Sequence, residues 1–560
     1  MAGSQKKIRR TFAADRLSSL GDDLLERILS FAPAKEAAAS AALSRRWRPL
    51  WRRASALNLD SRPYSSGAGG FHYPDARFDA FFLDGNAALA SRRRGTALKR
   101  LTVFLKEGAY HPRRGSYYRV HDVEPECDAR VAGLLADPAA AALEELRIAG
   151  DHAYSGLYVP PLASLPCTAA TLRVLELHLC SLQPASPPSS ARLAFPRLTD
   201  LSLHDCTYLE GYLQAVIDAA PALTRLALVD VTKKPPKPTG SAEGSYSRSK
   251  PSNLPLCLRC RTVTALVLVV SVSLEELKDS RDIGIQLDMP SLRSFRYKGF
   301  PVNLSLTSPA PGLTQVDLDT NRRERDFYKP ESAARMLASF SSTRALKLHI
   351  NGIEEIFSDD EVILPTFPNL KLLEIDANFK YMDINADYAV ATLLCACPAM
   401  SELRLRLNMA YDYDYDRQMQ EPPGGPFAQS VERFNRLAPM CSEHRDDVEF
   451  GGVSELANAF TDDCEFSCLT TSLRKVTLQF KSKELNCFQV QLAKFLVENA
   501  MVLEEMHVED GSQFWPDHLC HKVARWRADA LRRRNLPDTA RFRVYQLANP
   551  VLDPQSKANV

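Results

Sequence analysis

Six stretches of this 560-residue chain fit one nine-residue template. Residues 172–180 read LRVLELHLC, 198–206 LTDLSLHDC, 313–321 LTQVDLDTN, 343–351 TRALKLHIN, 370–378 LKLLEIDAN and 400–408 MSELRLRLN. The shared pattern is L-x-x-L-x-L-x-x-N/C, with Thr343 and Met400 in the first slot of two copies. Weaker copies, without the final Asn or Cys, begin at Leu98, Leu143, Leu223, Val263, Leu292, Leu473 and Leu503. Starts lie mostly about 21–45 residues apart, with one long gap before Leu473. The L-x-L centre is a short strand with one buried face, and a lone copy cannot bury that face. Neighbours must therefore stack into a curved parallel sheet.

The template is similar to the leucine-rich-repeat signature. Its terminal Asn or Cys is expected to turn inward and satisfy backbone groups of the adjacent turn. Proline stands two residues before the first slot at Pro196, Pro221, Pro290, Pro311, Pro368 and Pro398. It is read as ending the preceding segment and starting the extended one. LQAVIDAA (213–220) and YAVATLLCA (388–396) carry helical spacing and are expected on the convex side. The fold class is α/β: a small helical N-terminal unit, then an irregular solenoid. The chain is too long for one compact core.

Residues 21–31, GDDLLERILSF, lie ahead of the repeats. Leu24, Leu25, Ile28 and Leu29 read as one helical stripe, with Asp22 and Asp23 at the favourable N-terminal end. Pro33 breaks the chain, Lys35 to Ala42 reads as a second helix, and LSRRWRPLW (43–51) as a third, bent or shortened by Pro49. Three helices in so few residues bury little surface. Two readings follow: the unit caps the array, or part of its apolar surface meets another protein.

DRLSSLGDDLLERILSFAPAKEAAASAALSRRWRPLW (15–51) resembles the plant-type F-box through D-R-L-S-x-L, D-D-L-L-x-x-I-L-S-F, K-E-A, L-S-R-R-W-R and the closing L-W. It departs at Gly21, where the family usually has Pro, and at Ala32, commonly Leu. SLRKVTLQF (472–480) with LAKFLVENAMVLEEMHV (492–508) resembles the FBD segment that follows leucine-rich repeats in many plant F-box proteins. The resemblance implies the substrate-recognition subunit of an SCF ubiquitin ligase, without bond chemistry of its own. The F-box would bind a Skp-type linker and, through it, cullin and RING subunits; the repeats would hold the protein to be ubiquitinated. The alternative is an interaction scaffold without productive ligase assembly. The linker contacts implied are Leu17, Leu20, Leu24, Ile28, Leu29, Phe31, Leu43, Trp47 and Trp51. Each serves either that contact or the unit's own core.

The expected divisions are 1–14 basic terminus, 15–55 F-box, 56–96 linker or cap, 97–408 repeats with a loop at 233–255, 409–470 polar insertion, 471–535 FBD-like repeat and cap, and 536–560 tail. On the concave strand face the alternation exposes Glu176, His178, Ser202, His204, Asp317, Asp319, Lys347, His349, Glu374, Asp376, Arg404 and Arg406, the candidate substrate-binding residues.

A formal net charge of +2 argues against a dedicated nucleic-acid binder. TALVLVVSVSL (264–274) is too short to span a bilayer and reads as a buried strand, so no membrane partner is expected. MAGSQKKIRR has no apolar run behind it, and thirteen scattered cysteines fit reduced thiols; nucleus or cytoplasm is expected. Cys257 and Cys260 have redox or metal spacing without a second pair, and HLCH (518–521) lacks an obvious fourth ligand. With no GxxxxGK[ST], HExxH or G-x-S-x-G, neither a cofactor nor a catalytic residue is expected.

Overall fold

The computed structural model describes residues 17, 19–65, 74–92, 97–105, 124–150, 170–182, 193–233, 256–271, 284–320, 335–353, 364–380, 385–410, 466–480, 487–509, 518–535 and 542–546. The chain divides into two compact units, 1–253 and 254–560. Most of the expected loop 233–255 and polar insertion 409–470 lies outside the described residues.

The first unit opens with α1 (Asp22–Leu29), α2 (Ala34–Ala39, continued by a 3-10 turn over Ser40–Ala42) and α3 (Trp47–Arg53). A run of parallel strands follows: β1 (Ala56–Asp60), β2 (Arg100–Leu105), β3 (Glu145–Gly150), β4 (Val174–His178), β6 (Asp200–His204) and β8 (Arg225–Val229). Three two-residue strands, β5 (Ser181–Leu182), β7 (Thr207–Tyr208) and β9 (Thr232–Lys233), form a second small sheet.

Every template copy here starts its strand two residues after its first slot, as Leu172 does before Val174 and Leu198 before Asp200. The three apolar slots then face the core: Leu172, Leu175 and Leu177 are each fully buried. Burial of one such side chain is worth about 1.5–3 kcal/mol over leaving it in water, which a lone repeat would forgo. After β4, β6 and β8 the chain turns sharply through Leu179, Asp205 and Asp230, all left-handed with φ of 50–56°. The turn drives the next residue inward. Cys206 is fully buried, its thiol donating to the carbonyls of Leu177 (3.3 Å) and His204 (3.2 Å). The inward role read for the cysteine slot is what this turn requires.

The recurrent proline acts differently from its sequence reading. It is the second residue of a tight turn whose fourth N–H bonds to the first carbonyl. Leu198 donates to Phe195, Leu223 to Ala220, Leu292 to Met289, Leu313 to Ala310, Leu370 to Phe367 and Met400 to Cys397. Proline's fixed φ suits that second position. Copies without proline make the same turn, as in Leu143 to Ala140 and Thr343 to Phe340.

The second unit carries a longer parallel run: β11 (Ala265–Val270), β13 (Ser294–Gly299), β15 (Gln315–Asp319), β16 (Ala345–Gly352), β17 (Leu372–Lys380), β18 (Glu402–Ala410), β19 (Lys475–Phe480), β20 (Glu505–Glu509) and β21 (Arg543–Gln546). A three-stranded sheet of β10 (Leu256–Arg259), β12 (Gly284–Asp288) and β14 (Asn303–Leu306) accompanies it. All its template starts again lie two residues before their strands. One expectation fails here. Asn351 and Asn378 do not turn inward: both stay within their strands, β16 with a register shift at Asn351, and Asn378 is half-buried on the face of Glu374 and Asp376. Without a left-handed residue ahead of it, the ninth slot keeps the strand's alternation and points away from the core.

Helices connect successive strands at Pro74–Ala90, Glu124–Leu135, Tyr212–Asp218, Asn385–Ala396 and Cys487–Asn499. A last helix, His518–Arg533, buries Arg527, which donates to the carbonyls of Val497 (3.0 Å), Ala500 (2.6 Å) and Met501 (2.8 Å). Val497 lies in the last turn of the preceding helix and Ala500 and Met501 just beyond its end, where carbonyls lack intrahelical partners. Strands β1 and β21, which flank the template copies, fall in stretches read as linker and tail. Each pairs in register with its neighbour. Among the described residues, no helix is long and apolar enough to cross a membrane.

Candidate functional site

The helical unit has a closed core and an open apolar face. Leu25, Leu29, Ala37, Trp47, Leu50 and Ala54 form the core, with Leu20, Ala32 and Trp51 packed against it. The four apolar residues of α1 therefore split. Leu25 and Leu29 point inward, while Leu24 and Ile28, the other i,i+4 pair, are 46% and 45% exposed. Leu17, Phe31 and Leu43 are also exposed, Phe31 and Leu43 by about two thirds. Of the nine residues implied as linker contacts, Leu17, Leu24, Ile28, Phe31 and Leu43 thus present surface, Leu20 and Trp51 do so in part, and Leu29 and Trp47 belong to the core.

Polar contacts hold that face in shape. Asp22 receives Arg46 at 2.8 Å and Arg53 at 3.5 Å, and Arg53 also meets Glu26 at 2.9 Å, tying α3 to α1. The Arg46 hydrogen bond holds the Asp22 carboxyl below its usual range. Pro49 sits in the first turn of α3, where its missing N–H costs no hydrogen bond. The helix starts at Trp47 and so is shorter than the stretch 43–51. Gly21 precedes α1 with φ −64°, the angle a proline would impose. The unit is fastened to the first strands: Asn58 donates to the carbonyls of Ser30 and Ala32, both at 3.0 Å, and Arg100 to Ser30 at 3.2 Å.

All twelve concave-face candidates are half-buried on the strand face opposite the core. In the second unit they form two cross-strand rows. Asp317, Lys347, Glu374 and Arg404 are register partners, as are Asp319, His349, Asp376 and Arg406. The charges answer one another. Lys347 meets Glu374 at 2.9 Å, Arg404 meets Glu374 at 3.4 Å, and Arg406 meets Asp376 at 2.9 Å. His349 lies 3.8 Å from both Asp317 and Asp376, and its pKa is raised, chiefly by Asp376.

Weaker template copies extend these rows through residues the sequence reading did not single out. Arg296 and Lys298 pair with Asp317 and Asp319, each at 3.2 Å, and Gln479 bridges Arg406 and Glu509. The signal was present, since each occupies the same slot as its partner in a flanking copy.

In the first unit, Glu176 pairs with Ser202 and His178 with His204. Cys257 is exposed and donates to Gln286 at 3.6 Å, while Cys260 lies 3.5 Å from Thr262 Oγ1. The side chains of HLCH (518–521) lie outside the described residues.

A three-helix unit with an uncovered apolar face, fastened to stacked parallel repeats, defines the F-box/leucine-rich-repeat class. The comparisons agree. Residues 17–56 match the F-box domain, and residues 131–284 match the family described as "FBD-associated F-box protein At5g56370, LRR repeats". The rice "MEIOTIC F-BOX protein MOF" (Oryza sativa subsp. japonica) is 27% identical over 404 residues, 70% of this chain and 71% of that protein. Two Arabidopsis thaliana relatives match over short stretches. "Putative FBD-associated F-box protein At3g12840" is 54% identical over 48 residues, and "F-box/FBD/LRR-repeat protein At4g00160" is 44% identical over 62. These alignments cover 9% and 11% of this chain and only 26% and 14% of the relatives' own lengths. The chain thus carries an F-box domain and leucine-rich repeats similar to those of plant FBD-associated F-box proteins.

Proposed function

We propose that the chain is the substrate-recognition subunit of an SCF-type ubiquitin ligase, acting in the nucleus, the cytoplasm or both. The observation that carries this reading is the uncovered apolar face of the F-box. Leu24, Ile28, Phe31 and Leu43 are exposed although the unit has a complete core of its own. Large aliphatic and aromatic side chains left outside a closed core are what a helical partner such as a Skp-type linker would cover. The strand face supports the second half of the reading. It is broad, regular and fixed by the sheet, so a bound protein would be held in one orientation.

The chain would contribute position, not bond chemistry. Holding a target near a charged conjugating enzyme raises the effective concentration of its lysines. The test is reconstitution of the full chain with a Skp-type linker, cullin and RING subunit, followed by size-exclusion chromatography. Co-elution of all four is expected. Failure to capture the linker would leave only a leucine-rich-repeat scaffold.

A further inference from the structure

We propose that Glu176, His178 and His204 form a binding site for a first-row divalent cation of the zinc class on the strand face of the first unit. The three side chains come from consecutive repeats. His178 and His204 fill the same slot of their templates, and the β4–β6 register sets them side by side. Their rings stack with centroids 4.2 Å apart and planes within 2°. Glu176, two residues before His178 on the same face, places Oε1 2.8 Å from His178 Nε2. One ligand atom from each of the three lies within 4.8 Å of the others. A tetrahedral zinc site needs its donors roughly 3.3 Å apart, from bond lengths of about 2.0–2.2 Å. Half-exposed side chains cover that difference by rotating about their own torsions.

The surroundings suit a cation. Arg147 Nε lies 3.4 Å from Glu176 Oε2, which orients the carboxylate by one oxygen and leaves Oε1 toward the imidazoles. Ser202 Oγ is 2.9 Å from His204 Nε2 and is placed to hold the ring or a bound water. Asp205 and Asp230 add negative charge near His204. Two imidazoles and a carboxylate leave further coordination positions open to water or to a side chain of a bound protein. At such nitrogen and oxygen donors zinc binds more tightly than manganese or iron(II), so it is a fair probe of the class.

The experiment is a calorimetric titration of the full chain, stripped of metal with a chelator, with zinc chloride alone. The cysteines and the HLCH stretch give other donors, so the decisive quantity is a difference. The chain with His178→Gln and His204→Gln should bind one equivalent fewer than the native chain. Glu176→Gln should weaken that same equivalent by at least about tenfold, since loss of an outer-shell partner already costs that much. Unchanged stoichiometry in the double variant, or no saturable uptake by the native chain, overturns the site. Should the double variant melt early in chelator, Ser202→Cys decides. It supplies a thiolate beside His204 and should tighten zinc binding at least about tenfold, whereas unchanged affinity overturns the proposal.

Discussion

The outer face of the F-box and the strand face of the second unit both lie outside a core, and they differ in what they present. On the F-box, apolar side chains stand in water: Phe31 is 67% and Leu43 68% exposed. On the strands, charges cover one another, as Lys347, Glu374 and Arg404 do within one row. The first face gains wherever it is covered, because apolar area leaves water. The second gains only where a partner replaces internal pairs by better ones. On the function proposed here, the first face suits tight, sequence-tolerant docking. The second suits discrimination, since a mismatched charge must break a pair that already exists.

The largest effect that would break this comparison lies in neighbouring residues of α1. Leu24→Ala with Ile28→Ala should cost linker affinity roughly a thousandfold. Truncated anchors at such contacts cost about 2 kcal/mol or more each, and each 1.4 kcal/mol is tenfold. The melting curve should hardly move, because both side chains are already about half in water. Leu25→Ala should do the reverse. Leu25 is fully buried, and its cavity should destabilise the helical unit by about 2–5 kcal/mol. Calorimetric affinity and a thermal melt of each chain separate the two. A Leu24/Ile28 variant that binds normally would remove the outward face from the docking surface.

That pair of leucines also shows how far the sequence could be read. Spacing places Leu24, Leu25, Ile28 and Leu29 on one side of a helix, but it does not say where the core ends and the surface begins. That depends on Trp47 and Leu50 of α3, which close over Leu25 and Leu29 only. The repeats were far more legible. Thirteen template starts all lie two residues ahead of a strand, because the L-x-L alternation admits one register if the leucines are to be buried. β1 and β21 escaped because they lack the leading leucine. Ala54 stands in that slot ahead of β1, and Arg543–Gln546 offers Val544 and Gln546 where leucines would be. Asn378 was misread because the inward turn depends on a left-handed residue before the ninth slot, as at Leu179 and Asp205. The His178–His204 stack was implicit in equal slots of consecutive copies, but it needed the register to become a site.

On the strand face the expected effect is smaller. Glu374→Lys should destabilise the second unit by about 1–2 kcal/mol, because Lys347 and Arg404 lose their partner and face a like charge. Both bases are about 41% exposed, so water screens each pair to less than about 1 kcal/mol. Raising the salt concentration should shrink the difference from native in a urea melt. A loss of about 4 kcal/mol, insensitive to salt, would mean that the row is held by packing and not by charge.

Gly21→Pro acts on the first face from its edge. Residue 21 already has a proline-like φ, and an added Cβ meets the flexible Asp23 carboxylate, which must swing aside. The stabilisation expected from a less flexible unfolded chain is about 0.4–1 kcal/mol. Linker affinity should hold or improve by up to about fivefold. A clear loss would show that the docked chain bends elsewhere.

The smallest effect tests whether the strand face is electrically self-contained. His349 sits between Asp317 and Asp376, with Asp319 beyond. Asp376 raises its pKa most, burial opposes this, and the remaining carboxylates add to the rise. Asp317 Oδ1 is buried without a hydrogen bond, 3.8 Å from the ring, so a proton on His349 improves its surroundings. A folded-state pKa above the unfolded value near 6.5 means that the folded chain holds the proton more tightly. The resulting stability is fully present below about pH 6.5 and fades as pH rises through the folded value. His349→Gln should therefore melt below the native chain at pH 5.5–6 and together with it at pH 8.5. A gap that instead widened with pH would mean that the neutral ring is the favoured form, and that the row is balanced by Lys347, Arg404 and Arg406 without any help from His349.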